Sequence, residues 1–151
     1  MEHNDVVSTL NRLVEISKDG EYGFRTSGEH VKSPQIRELF MARADECRQA
    51  AAELQSLVEQ HGGEADDSGT TSGSMHRGWV AVKSALSGYT DVSILEETER
   101  GEDTALAAYR RALKEDLPPD VKSVVERQLQ GVQRNHDQVR LLRDQARAAQ
   151  A

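Results

Sequence analysis

Four glutamates and a histidine stand where a helical bundle would turn them toward its interior: Glu21, Glu46, Glu99, Glu102 and His136. Glu21 lies between Ser17 and Phe24, and Glu99 and Glu102 lie between Leu95 and Leu106. His136 falls between Val132 and Val139 with Asn135 beside it, and Glu46 borders Cys47 one turn after Arg43. The flanking apolar residues recur at steps of three and four, the period of a buried helix face. A lone carboxylate is costly to bury, so such groups are paired, hydrogen-bonded or bound to a metal. Carboxylates and imidazoles gathered at one level of a four-helix bundle hold pairs of iron or manganese ions. Two helices then give a Glu each, and the other two give Glu-x-x-His.

The chain meets that pattern in part. Gly20-Glu21 and Gly101-Glu102 place a Gly-Glu pair in the first helix of each hairpin. The Glu-x-x-His slots read Glu46-Cys47-Arg48-Gln49 and Gln133-Arg134-Asn135-His136, each with one good ligand and one amide. At about 100° per residue, Gln49 falls outside the apolar arc of its helix and Gln133 at the edge of its own. What survives is Glu21, Glu46, one or both of Glu99 and Glu102, and His136, enough for at most one iron or manganese ion. The other reading of the same side chains is a buried polar network of Arg43, Gln133 and Asn135, with Arg43 neutralising Glu46 and a neighbouring glutamate. The fixed charge of Arg43 on the seam favours the network, since metal sites avoid such a neighbour. No nucleophile elbow, phosphate loop or zinc-spaced Cys/His cluster is present, so no residue is assigned a catalytic role.

The elements that must position these groups are four long helices, expected over 4–31, 34–61, 90–116 and 120–148. Ser33-Pro34 is a cap followed by proline at the first helical position, and His61-Gly62-Gly63 ends the second helix with glycine. Leu117-Pro118-Pro119-Asp120 turns the chain between the third and fourth. Residues 62–89 form a crossover, opening on a Gly/Ser/Thr-rich stretch and carrying a short helix over about 75–87 with Trp79, Val82 and Leu86. A connection of that length lets the second and third helices run parallel. Trp79 is expected to dock the short helix on the bundle, with His76 exposed. His3, His30 and His61 lie near helix ends. Cys47 and Tyr109 read as core residues.

At 151 residues the chain is one domain. Its formal net charge of −7 disfavours nucleic acid and anionic membranes. No run is long and apolar enough to span a membrane, and Met1-Glu2-His3-Asn4-Asp5 lacks the basic and apolar regions of a secretory signal. One cysteine excludes an internal disulfide and fits a reducing compartment, so the expected location is the cytoplasm. A homodimer is the expected assembly, from the prevalence of two-fold symmetry.

The run Ile94-Leu95-Glu96-Glu97-Thr98-Glu99-Arg100-Gly101-Glu102-Asp103 resembles an uncharacterised bacterial family, as do the Leu117-Pro118-Pro119 turn, His136-Asp137 and His76-Arg77-Gly78-Trp79. This is the four-helix-bundle family called domain of unknown function 2383, placed with the ferritin-like folds. The resemblance implies an all-α, ferritin-like bundle of two helical hairpins in a soluble bacterial protein, and it supplies no activity. Two functions follow as expectations. One is a non-catalytic bundle with a vestigial metal site, acting as an oligomeric or partner-binding module. The alternative is an iron- or manganese-binding oxidase or iron-handling protein.

Overall fold

A computed structural model of the chain describes residues 3–65 and 90–150. Within them lie four helices and no strand: α1 (His3–His30), α2 (Pro34–Gln60), α3 (Asp91–Leu113) and α4 (Pro119–Gln150). The short helix expected over 75–87, with His76 and Trp79, lies outside the described residues.

Local chemistry fixes the ends of these helices. Ser33 is extended, and its Oγ accepts the Ile36 amide at 3.3 Å, with Pro34 opening α2. Arg37 reaches back across the turn to the carbonyls of Gly28 (3.2 Å) and Val31 (2.9 Å) at the end of α1, where the supply of helical amide partners runs out. At the far end of α2, His61 is the cap and Gly62 follows at φ 80°, a conformation that favours glycine. Thr90 Oγ1 caps α3 by accepting the Ser93 amide at 3.2 Å.

α3 ends at Leu113, earlier than the expected 116. Residues Lys114 and Glu115 are already turning, and the Leu117 amide donates to the Glu115 carbonyl at 3.1 Å ahead of Pro118. The helices are therefore unequal, with 23 residues in α3 and 32 in α4.

Two sets of contacts give the direction of each helix. Asp91, at the start of α3, accepts the amides of Lys32 (2.8 Å) and Ser33 (3.0 Å) in the α1–α2 turn. At the opposite end, His61 Nε2 lies 3.0 Å from Asp120 Oδ2, joining the close of α2 to the start of α4. Helices α2 and α3 thus begin at the same end and run parallel. The close of α2 and the start of α3 therefore lie at opposite ends of the bundle, about 40 Å apart at 1.5 Å per residue, as two hairpins joined by a crossover require.

Two apolar clusters fill the interior. One includes Leu10, Leu13, Val14, Leu54, Leu106 and Val125. The other holds Phe24, Phe40, Ala44, Cys47, Leu95 and Val139 toward the α1–α2 turn. On α1, α3 and α4 the change from one cluster to the other passes through buried polar residues, and Arg43 of α2 joins them in a layer across the bundle. Glycine brings α1 close to α2 there: a Cβ on Gly20 would lie 2.9 Å from Cys47 Sγ.

Candidate functional site

Glu102 occupies the centre of the polar layer, 1% exposed, because it continues the Leu95–Thr98 face of α3 one turn further. Thr98 satisfies itself by donating to the Leu95 carbonyl at 3.0 Å, but a carboxylate has no such local partner. Its partners come from two other helices. Asn135 Nδ2 of α4 donates to Glu102 Oε2 at 3.0 Å, and Arg43 Nη2 of α2 lies 3.4 Å from the same oxygen. The other terminal nitrogen of Arg43 donates to Glu46 Oε2 at 3.2 Å. One guanidinium, buried against the Phe24 ring at 6.0 Å, therefore serves two carboxylates.

These surroundings move the titrations. Burial pushes the Glu102 carboxyl above its ordinary 4.5, against the pull of Arg43 and the Asn135 amide. For Arg43, burial works against the charge, but Glu102 and Glu46 more than offset it and keep it protonated. Burial likewise raises the Cys47 thiol to about 12, so it stays a thiol within the core.

A carboxyl with a raised folded-state pKa holds its proton more tightly folded than unfolded. Its share of stability is fully present below 4.5 and declines as pH rises from there through the folded-state value. The difference in unfolding free energy between wild type and Glu102→Gln should accordingly fall with pH across that window in urea titrations. A difference that rises with pH would show that Arg43 outweighs desolvation.

A second polar group adjoins the first. Tyr109 Oη donates to Gln128 Oε1 at 2.7 Å and lies 3.3 Å from Ser17 Oγ, and burial raises its pKa. Gln128 Nε2 in turn donates to Glu53 Oε1 at 2.8 Å, and Glu53 is ion-paired with Arg127. Tyr109 is core, as its position implies, but its hydroxyl organises Ser17 and Gln128. Both lie on helix seams, which was the signal available for finding them.

The remaining expected site residues go elsewhere. His136 Nε2 lies 2.7 Å from Asp103 Oδ1 and 3.9 Å from Glu99 Oε2, while Nδ1 lies 3.3 Å from Asp137. Glu99 is also ion-paired with Arg143, so these groups staple α3 to α4. Glu21 is half-buried and turns along α1 to Arg25 at 3.4 Å. The Glu46 side chain is 60% exposed and reaches the layer only through Arg43. Gln133, expected in the buried network, instead accepts from Arg110 (2.8 Å) and donates to Asp137 (3.0 Å) on the outer α3–α4 surface. Its place at the edge of the apolar arc lets a long amide reach water. Glu102, Arg43, Glu46 and Asn135 thus come together, whereas Glu21, Gln133 and the Glu99–His136 pair have separate partners. Among the described residues, no group of three or more His, Cys, Asp and Glu side chains is placed to hold a metal ion.

A cavity of about 540 Å³ lies at this level, with walls from all four helices and Arg43, Glu102, Tyr109 and Gln128 among its lining.

A family model described as Domain of unknown function (DUF2383) matches residues 5–115, well over half of the chain. The protein belongs to the DUF2383 family. The match spans α1 to α3 and so includes Arg43 and Glu102, while Asn135 and His136 of α4 lie beyond it. No curated protein matches this DUF2383 chain. Among solved structures, a mutant of Dps1 from Mycobacterium smegmatis superposes with a TM-score of 0.77 at 14% identity. The superposition covers 93% of this chain and 96% of that one. At that identity the likeness establishes the fold, a ferritin-like bundle. No helix among the described residues is long and apolar enough to cross a membrane.

Proposed function

We propose that this DUF2383 protein is a non-catalytic ferritin-like bundle acting through its surface, as a homodimer or partner-binding module in the cytoplasm. The observation that carries the reading is Arg43, whose guanidinium lies 3.4 Å from Glu102 and 3.2 Å from Glu46. A divalent ion about 4 Å from that guanidinium would be repelled by about 8 kcal/mol at an effective dielectric constant of about 20. The guanidinium supplies the positive charge that a metal would otherwise bring to Glu102. The reading as an iron- or manganese-handling protein needs Arg43 to withdraw and Glu21, Glu46 and His136 to turn inward together.

Metal analysis of protein purified without chelator, followed by Fe(II) titration of wild type and His136→Ala, separates the two. The expected result is metal far below one equivalent and indistinguishable titrations. Near-stoichiometric metal that disappears with His136→Ala would replace this reading with the metal-binding one. Sedimentation velocity at several concentrations tests the homodimer.

A further inference from the structure

The cavity has an unmet acceptor on its floor and an unmet cation at its rim. Both contacts to Glu102 fall on Oε2, so Oε1 receives no hydrogen bond from the described residues, although the side chain is 1% exposed. At the rim, Arg134 has no ion pair or hydrogen bond among the described residues. Its Nη2 lies 3.7 Å from where a Cβ on Gly131 would sit, so glycine leaves the space under that guanidinium open. The other lining arginines are engaged, Arg127 with Glu53 and Arg43 with Glu46 and Glu102. Since Arg43 is shared between two carboxylates, that group carries one net negative charge. Between floor and rim the wall includes Ile16, Ala50, Ala105 and Val132, which suit methylene groups.

We infer that this cavity binds a small amino carboxylate, its ammonium donating to Glu102 Oε1 and its carboxylate meeting Arg134. The volume of about 540 Å³ is that of an ordinary small-molecule site. An ammonium carries half the charge of a divalent ion and donates to the Oε1 that Arg43 and Asn135 leave open, while a carboxylate forms charge-assisted hydrogen bonds with the Arg134 guanidinium. The inference goes beyond the proposed function, because an organic ligand can occupy the cavity whichever way the metal titration falls.

Isothermal titration calorimetry of the full chain with γ-aminobutyrate and ε-aminocaproate tests it, with hexylamine and caproate as half-ligands. At least one amino carboxylate should bind saturably and about tenfold or more tighter than either half-ligand, the loss of one charged hydrogen-bonding end. Arg134→Ala, on the surface and harmless to folding, should weaken the amino carboxylate about tenfold and leave hexylamine unchanged. Gly131→Leu should block binding, and Glu102→Gln should abolish it for the amino carboxylates and for hexylamine. If Glu102→Gln fails to fold, Arg134→Ala and Gly131→Leu still decide. The inference is overturned if neither amino carboxylate binds saturably, or if binding survives both Arg134→Ala and Gly131→Leu unchanged.

Discussion

Replacing Arg43 by Met should destabilise the bundle by about 3–5 kcal/mol at neutral pH, the usual cost of leaving one member of a buried ion pair alone. The methionine fills the volume of the arginine stem, so packing is not the main loss. The loss comes from Glu102, which keeps the Asn135 amide but loses the only positive group paired with its carboxylate among the described residues. Glu102 can limit the damage by taking up a proton, so the cost should shrink in acid. Adding Glu102→Leu to Arg43→Met should restore most of the stability, because the orphaned charge is gone. Glu102→Leu alone should stay within about 1 kcal/mol of wild type. Arg43 keeps its solvated partner Glu46, and relief of carboxylate desolvation offsets the acceptor that Asn135 loses. Urea unfolding of the three variants at neutral pH gives the cycle. A double mutant no more stable than Arg43→Met would show that the arginine matters for packing rather than for charge.

The parts of this structure that were legible in the sequence are those fixed by short-range chemistry. Ser33-Pro34, Gly62 and the paired prolines 118 and 119 act within one turn of chain, and the helices begin or end at them. The close of α3 is harder, because Lys114, Glu115 and Asp116 carry no stop signal of their own and yield to the proline that follows. The family was legible too, since the run from Ile94 to Asp103 falls inside the matched residues 5–115.

In the site, Arg43, Glu102 and Asn135 all stand on helix seams and lie in one layer. Seam position does not decide where a flanking side chain goes. Glu46 and Gln133 sit at the edge of an apolar arc, and three or four rotatable bonds let them reach water or a surface partner at little cost. Glu21 has Arg25 one turn away, a local pairing that competes with any inward turn. Gln128 and Ser17 carry no charge, so they give no signal in a tally of ionisable groups, yet they complete the layer around Tyr109.

Phe24→Ala should cost about 3–5 kcal/mol, the range for truncating a fully buried aromatic residue. Phe24 is 0% exposed and meets Phe40 edge-to-face, with ring centroids 5.3 Å apart. Its other neighbour makes the site unusual for a core phenylalanine, because the Arg43 guanidinium lies 6.0 Å from the ring centre. The ring is thus part of the wall that keeps water from the buried ion pair. The truncation opens space next to a charge rather than next to hydrocarbon, and such a space hydrates. Hydration lowers the desolvation that raises the Glu102 pKa, so Phe24→Ala should also flatten the decline in stability with pH attributed to Glu102. Phe24→Leu keeps most of the volume and should cost under about 1.5 kcal/mol while preserving the pH slope. Urea unfolding at stepped pH reads both effects in one set of curves. A small loss for Phe24→Ala with the slope intact would mean that the Phe40–Leu95–Val139 cluster closes over the gap. The ion pair would then be shielded by the cluster as a whole and not by this ring.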